Sequence, residues 1–175
     1  ILLAYTSLLR PEIPALIKAW NLLGLLDFIR AKSLLSNEYK CVIPELTDEP
    51  IFIWRQARHP LLEQKLKSQD KQITPLDLSL DKDNRILVIS GPNAGGKSVC
   101  LKTIGLVQYM LQCGLAVPME IDSKCGIFHD MFIDIGDSQS LENDLSTYSS
   151  HLLNMKELIR QANKRTLFLI DEFGT

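Results

Sequence analysis

A glycine-rich loop is the part of this sequence with the most specific chemistry. Residues 91–98 read GPNAGGKS, which fits the pattern G-x-x-x-x-G-K-[ST]. Glycines allow a tight turn whose backbone N–H groups point toward one anion, and the positive end of the following helix faces the same anion. In such a loop Lys97 reaches the β- and γ-phosphates of a nucleotide, and the hydroxyl of Ser98 binds Mg²⁺. The loop therefore predicts a polyphosphate site; the alternative is a glycine-rich turn that binds nothing.

The predicted nucleotide-binding residues are the whole loop and the residue that follows it. They are Gly91, Pro92, Asn93, Ala94, Gly95, Gly96, Lys97, Ser98 and Val99.

A pair of acidic residues follows an apolar run near the end of the sequence. LFLI is followed directly by Asp171 and Glu172. A buried strand that ends in a carboxylate places it at the carboxyl edge of a sheet, where α/β folds bind ligands. We expect Asp171 to hold Mg²⁺ through water, opposite Ser98, and Glu172 to orient or deprotonate the attacking water. Asp-Glu rather than Asp alone favours a hydrolase, with Glu172 and Lys97 as its catalytic residues; a strand end capped by two solvated acids is the alternative.

The nucleotide is predicted to be ATP. A guanine-specific protein would need an element of the N-K-x-D type, and the sequence shows none. Asp-Glu directly after the strand also argues against a kinase-type module, which would need a lid and an acceptor pocket.

The elements that position the loop and the acids follow from periodicity in the second half of the chain. ILVIS at 86–90 predicts a buried strand before the loop, and a helix is expected from Lys97 to about Cys113. A strand within GIFHDMFIDIG, a helix with Leu152, Met155 and Ile159 on one face, and the strand TLFLIDE follow. Strand, helix, strand, helix, strand is the order of a parallel sheet flanked by helices.

The first half of the chain has a different organisation. Pro11 and Pro14 interrupt an early helix, and a leucine-rich helical pattern runs from about 15 to 37. Between about 47 and 84, IFIWRQARHPLL and ITPLDLSL predict short strands joined by turns, which suggests a small, mostly antiparallel sheet. We therefore expect a helical lever or core segment at 1–45 and an ATPase domain at 46–175.

Composition limits the remaining possibilities. The 175 residues are 46% hydrophobic and 23% charged, and no apolar run reaches membrane-spanning length, so we expect no membrane contact. The pattern of cysteines is typical of a cytoplasmic protein. The net charge of −2 gives no global attraction to nucleic acid. The four cysteines show no metal-ligand spacing and predict reduced, mostly buried thiols; Trp20 and Trp54 are expected to be packing residues. The absence of an initiator Met and the end at DEFGT suggest a piece of a longer protein that lacks its C-terminal part.

Three segments together resemble the ATPase domain of the MutS family. They are GPNAGGKSVCLKTIGL, IDIGDSQSLENDLSTYSSHLLNM and LFLIDEFGT, and ARHPLLEQ at 57–64 is similar to the RHP element that precedes that domain. Ala94 stands where mismatch-recognising members usually have Met, and Ser150 or His151 stands where they have Glu. The resemblance is therefore closest to the second, recombination-suppressing branch.

The resemblance implies a fold and a function. The fold is α/β, a P-loop NTPase of the ABC/MutS type, with a mainly parallel sheet, a small antiparallel subdomain and an N-terminal helical segment. The function is binding and hydrolysis of ATP with Mg²⁺, coupled to movement of a DNA clamp. DNA would be contacted mostly by regions outside this chain, and a homodimer would form through the ATPase face. An ABC-type ATPase engine of another DNA-organising or transport system is the alternative.

The same resemblance assigns further residues. Ser146 and Thr147, at the start of a helix, would sense the γ-phosphate of the partner subunit; a plain N-cap is the alternative and is compatible with that role. Ile73, or a neighbour within QITPLD, would lie against the adenine, with an ordinary strand residue as the alternative. His59 would help to place the base, although a hydrogen-bonded surface residue is the simpler interpretation.

Overall fold

The protein is a mixed α/β structure, as the sequence predicts. The computed structural model describes residues 2–92, 96–135, 155–156 and 158–171. Its elements in chain order are α1 (Leu2–Leu9), α2 (Ile13–Glu38), β1 (Glu45–Thr47), β2 (Phe52–Ala57), α3 (Pro60–Lys67), β3 (Leu76–Leu80), α4 (Lys97–Gln112), β4 (Lys124–Gly126), β5 (Asp130–Asp134) and β6 (Thr166–Ile170). Residues 155–156 and 158–161 are also helical.

The N-terminal segment is helical and largely exposed. A 3-10 turn at Arg10–Glu12 separates α1 from α2. Pro11 stands at the start of this turn and Pro14 at the start of α2, and neither has the backbone N–H that a continuous helix would need. None of the residues of α2, all of which are described, is buried. Trp20 is 76% exposed, so the prediction that it packs in a core is wrong, whereas Trp54 is fully buried. Only the end of α2 reaches the core, through the partly buried Leu35.

The middle of the chain forms a four-stranded sheet in the order β1-β4-β2-β3. β2 pairs antiparallel with both β3 and β4, while β1 pairs parallel with β4. The predicted small, mostly antiparallel sheet is therefore present. Phe52 and Trp54 of β2 are buried in the core beside this sheet. The ring of Phe52 stacks on Phe128 with 5.0 Å between centroids.

A bulge in β2 redirects the chain toward the segment before α3. The register between β2 and β3 shifts between Trp54 and Ala57, and Gln56 has a φ of 51°. This left-handed conformation is uncommon for a residue with a side chain. It is held by Asp77, whose carboxylate accepts a hydrogen bond from the Gln56 backbone N–H at 2.7 Å. The bulge brings the chain out of the sheet at Arg58.

The helix α4 packs against both sheets. On one side the buried Gln108 donates from Nε2 to the carbonyl oxygen of Gly126 in β4, at 2.8 Å. On the other side Gly105 lies so close to β5 and β6 that a Cβ built there would stand 3.0 Å from Leu169 and 3.4 Å from Ile133. The absence of a side chain at Gly105 thus allows a close approach between α4 and the second sheet.

The second sheet in the described part of the chain consists of β5 and β6, which are parallel. Ile133 pairs with Leu169, and Phe132 pairs with Phe168. Since neighbouring residues of a strand face opposite ways, the two phenylalanines lie on the side away from α4. Their rings stack with 5.6 Å between centroids.

One predicted strand is not formed. Residues 85–90 are irregular, and Ile86 and Val88 are 85% and 81% exposed. The predicted mainly parallel sheet is therefore reduced to the pair β5–β6 within the described residues. An apolar run creates a preference for burial, but a strand forms only where a neighbouring strand offers matching N–H and C=O groups. The sequence pattern reports the first condition and not the second.

Two smaller predictions also need correction. In the late helix Leu158 is 8% exposed and Ile159 is 78% exposed, so the buried face does not include Ile159. Leu152 lies outside the described residues. Of the four cysteines only Cys125 is buried, Cys113 is exposed, and the other two are partly buried. The prediction of mostly buried thiols is therefore wrong.

Candidate functional site

The N-terminus of α4 has the features of an anion site. Gly96 is its N-cap, with φ 83° and ψ 16°, a left-handed conformation that favours glycine. The described first turn contains no acidic residue, and Gly96 offers no side chain to cap it. The first N–H groups of a helix have no partner within the helix and carry its positive dipole end. They can therefore donate to a phosphate.

The lysine of the loop is placed at this helix end. Lys97 begins α4, and its Nζ donates to the carbonyl oxygen of Gly91 at 2.8 Å, so its ammonium lies over the start of the loop. Gly91 itself has a φ of 153°, also on the glycine side of conformational space. Ser98 follows and is half-buried. Asn93, Ala94 and Gly95 lie outside the described residues.

The predicted metal-binding acid is at the carboxyl edge of the parallel pair. Asp171 follows β6, is half-buried, and donates from its backbone N–H to the carbonyl oxygen of Asp134 at 2.9 Å. The structure thus brings Asp134, the last residue of β5, to the same edge. The sequence did not single out Asp134, although its position near the end of a predicted strand, two residues before Gly136, was a usable signal. Glu172, Ser146 and Thr147 lie outside the described residues.

The loop and the acid belong to elements that pack on each other. Lys97 and Ser98 open α4, which contacts β6 through Gly105 and Leu169, and Asp171 follows two residues after Leu169. Through this contact α4 packs directly against β6. The helix that begins with Lys97 and Ser98 and the strand that leads into Asp171 are therefore in direct contact.

The oxygen donors of Ser98 and Asp171 are of the type that Mg²⁺ prefers. Ser98 offers a hydroxyl oxygen and Asp171 a carboxylate oxygen, and both residues are half-buried. Among the described residues no group of three or more His, Cys, Asp or Glu side chains could hold a metal. Mg²⁺ is commonly bound by one or two protein oxygens together with water and substrate phosphates, so two oxygen donors fit it.

A cleft of about 240 Å³ adjoins the start of α4. It lies between α3 and α4, and its lining residues are His59, Leu61, Leu62, Lys65, Val99 and Lys102. Val99 was predicted to bind nucleotide, whereas the residues from α3 and Lys102 were not. Ile73, the predicted adenine contact, is half-buried and is not among the lining residues.

His59 fixes one wall of this cleft. It is the N-cap of α3, and its Nδ1 accepts a hydrogen bond from the backbone N–H of Leu62 at 3.3 Å. Burial lowers the pKa of His59, its own backbone hydrogen bond raises it, and the charge of Lys102 lowers it further. A neutral ring is required for Nδ1 to accept, so burial and Lys102 both favour the capping form.

Comparison with known proteins identifies the family. Residues 87–175 match the family model described as MutS domain V. The chain belongs to the MutS family. The chain is 40% identical over 174 residues to Endonuclease MutS2 of Levilactobacillus brevis, which covers 99% of the chain and 21% of that protein. The Carboxydothermus hydrogenoformans protein of the same name is 40% identical over 175 residues, covering 100% of the chain and 22% of that protein.

The relatives also define the branch. The Enterococcus faecalis Endonuclease MutS2 is 44% identical over 152 residues, 87% of the chain and 18% of that protein. Similarity to proteins of this name over nearly the whole chain supports the second MutS branch that the sequence motifs indicated. The chain spans about a fifth of the length of these curated relatives.

The family match covers only part of the site. The MutS domain V region contains the loop, α4 and both acids of the β5–β6 edge, Asp134 and Asp171. The α3 wall of the cleft, with His59, precedes residue 87 and is instead within the alignments to the MutS2 relatives. Among the described helices, none is long and apolar enough to span a bilayer.

Proposed function

We propose that this chain binds ATP with Mg²⁺ and hydrolyses it as the nucleotide-driven part of a MutS2-type DNA repair or recombination protein. The observation that carries the proposal is the packing of α4 on β6 through Gly105, since α4 begins with Lys97 and β6 leads into Asp171. Membership in the MutS family, whose domain V contains this region, favours this function over an ABC-type engine of another system.

Each residue has a defined task in this proposal. The N–H groups of the loop and of the first turn of α4 donate to the phosphate oxygens, and Lys97 turns from the Gly91 carbonyl toward the β- and γ-phosphates. Ser98 and Asp171 would hold Mg²⁺, which neutralises charge that develops on the phosphates. Glu172 would orient or deprotonate the attacking water.

The base would occupy the cleft between α3 and α4. The cleft begins at Val99, two residues into the helix that would hold the phosphates, and apolar side chains from α3 line its opposite wall. An apolar wall with a few polar groups is typical of a site for a flat heterocycle. His59, Lys65 and Lys102 are the polar residues that line it. Contact of the base with Ile73 remains a prediction.

We also propose that residues 85–90 become a strand beside the β5–β6 pair when nucleotide is bound. Ile86 and Val88 expose more than four fifths of their surface, which leaves a large apolar area in water. Within the described residues β5 and β6 each have one unpaired edge. An added parallel strand would bury these side chains and bring the loop that follows them toward Asp171.

Family membership is the basis on which we propose how ATP is coupled to dimer closure and to DNA. ATP binding would close a homodimer through the ATPase face, with Ser146 and Thr147 of one subunit near the γ-phosphate in the other. Hydrolysis would reset a clamp on DNA, which is contacted mainly by regions outside this chain. The division at residue 45 between a helical lever and the ATPase domain belongs to the same proposal.

Binding and turnover of ATP test the proposal. Fluorescent ATP analogue binding and phosphate release would be measured on the full-length protein with Lys97→Ala, Glu172→Gln and Lys82→Ala variants. Lys82 is an exposed lysine paired with Glu49 and serves as the matched control. We expect Lys97→Ala to abolish binding, Glu172→Gln to keep binding and lose turnover, and Lys82→Ala to change neither. Binding that survives in Lys97→Ala would refute the phosphate site, and full turnover in Glu172→Gln would refute the role of Glu172.

A further inference from the structure

A single guanidinium joins the end of α2 to the start of α3. Arg58 donates from Nη2 to the carbonyl oxygen of Tyr39 at 2.8 Å, and its Nε lies 3.1 Å from Oε2 of Glu63. Tyr39 caps the C-terminus of α2 and is 7% exposed. Glu63 stands in the first turn of α3. The two helices therefore meet at one side chain.

The backbone of Arg58 is fixed as well. Its N–H donates to the carbonyl oxygen of Pro118 at 2.9 Å, which ties it to the segment between α4 and β4. The bulge at Gln56 sets its direction, because the chain leaves β2 immediately before it. The backbone of Arg58 is thus positioned by the sheet, and its side chain is held by the contacts with Tyr39 and Glu63.

The ion pair is shielded from water. The side chains of Arg58 and Glu63 are only 17% and 12% exposed, so solvent screens their attraction less than that of a surface pair. Lys67 also contacts the Glu63 carboxylate, at 3.1 Å, but it is 57% exposed. The planar fork of arginine can donate in two directions at once, which a lysine ammonium on a flexible stem does less well.

The residue beside Arg58 is the wall of the cleft. His59 follows directly, caps α3 through Leu62, and lines the space proposed for the base. A displacement of the α2 end would pull on the guanidinium, and through Glu63 would shift the first turn of α3 that carries this wall. In the opposite direction, a ligand that fixes this turn would fix the end of α2.

We propose that Arg58 is a positioning residue that links the C-terminal end of α2 to the base side of the nucleotide cleft. Occupancy of the cleft and placement of α2 then affect each other, since coupling between two sites is reciprocal. The inference rests on the proposed ATP site, and it adds the residue through which that site reaches the long helix.

The first experiment separates the base side from the phosphate side. Binding of a fluorescent ATP analogue and competition by inorganic tripolyphosphate would be measured on the full-length protein with Arg58→Lys. Losing one charged hydrogen bond should weaken the ATP analogue roughly tenfold, while tripolyphosphate affinity stays within about twofold. Lys67→Ala removes the exposed partner of the same carboxylate and is the control, with both affinities within about twofold.

The second experiment measures the link to α2. In the wild type we expect ATP to slow amide hydrogen exchange both at the start of α4 and at residues 37–41. In Arg58→Lys the protection at 37–41 is lost and that at α4 remains. If Arg58→Lys does not fold, Glu63→Gln weakens the same link from the α3 side and should show the same selective loss.

The outcomes are distinguishable. Equal weakening of the ATP analogue and tripolyphosphate in Arg58→Lys, or unchanged protection at 37–41, would mean that Arg58 only stabilises the fold, and would overturn the inference. A wild type that binds neither ligand would overturn the proposed ATP site and the role of Arg58 with it. Selective loss in the variant with normal binding by Lys67→Ala supports the inference.

Discussion

Replacement of Gly126 by alanine should be among the most destabilising small changes in this chain. A Cβ at Gly126 would lie 2.5 Å from the backbone nitrogen and 2.9 Å from the carbonyl oxygen of Ile51, and closer still to the carbonyl oxygen of Glu49. Ordinary contact begins near 3.4 Å, so the backbone nitrogen of Ile51 would have to retreat by about 0.9 Å and the carbonyl oxygen of Glu49 by more. These neighbours are backbone atoms, which cannot rotate away as a side chain can.

Moving the β1–β2 connection away from Gly126 would disturb both packing and a backbone hydrogen bond. The N–H of Gly126 donates to the carbonyl oxygen of Ile51 at 2.8 Å, and this bond lies within the clash. Overpacking costs about 1–3 kcal/mol, and a lost hydrogen bond adds about 0.5–1.5 kcal/mol. We therefore expect the free energy of unfolding to fall by about 2–4 kcal/mol in Gly126→Ala.

Urea unfolding of this chain would measure the change. Trp54 is fully buried, and its ring packs edge-on against Phe52 at 5.0 Å, so its fluorescence reports the state of this sheet. The matched control is Gly24→Ala, where a Cβ meets nothing within 4 Å in the middle of α2. That variant should gain about 0.5–1 kcal/mol from helix propensity. An unfolding free energy for Gly126→Ala within about 0.5 kcal/mol of the wild type would refute the reasoning.

Three further predictions follow from the site. Val88→Asp should abolish binding of the ATP analogue although Val88 is 81% exposed, because the proposed strand would bury it; normal binding would exclude that strand. His59→Asn should reduce the loss of thermal stability between about pH 7 and about pH 5, since asparagine can cap α3 without titrating. Burial lowers the pKa of His59 in the folded state. The stability that the neutral His59 cap contributes is therefore present above the ordinary histidine pKa and is lost as the pH falls through the lowered folded-state pKa. Equal pH dependence of stability in the wild type and the variant would contradict this. Gly105→Val should weaken ATP hydrolysis more than it weakens tripolyphosphate binding, because the added methyls meet Leu169 and push β6 from α4 while leaving the helix N-terminus in place; parallel losses would argue against it.

Local patterns predicted much of the fold. The proline break before α2, the helix after the loop and the strand before Asp171 were all found by reading short segments, since capping, periodicity and backbone constraints act within a few residues. The ends of α4 at Lys97 and Gln112 agree with the predicted helix to within one residue. The loop chemistry was equally local, because Gly96 and Lys97 are adjacent in both sequence and space.

Other features required contacts between distant segments. Trp20 and Trp54 are the same residue type, yet one is 76% exposed and the other fully buried, because only the second lies on a strand with sheet neighbours. Residues 85–90 have the composition of a buried strand, yet they pair with no strand among the described residues, and Ile86 and Val88 stay exposed. No single-sequence pattern reports which edge is available.

The sequence by itself determined which residues the proposed chemistry uses: a loop of glycines with one lysine and one serine, and an apolar run followed by two acids. Tertiary structure alone decided that Asp134 joins Asp171 at one edge and that Arg58 connects Tyr39 to Glu63. The physical reason is the range of the interactions. Turn geometry and helix capping are set by neighbours along the chain, whereas a shared sheet edge or a bridging guanidinium exists only after separate elements have packed.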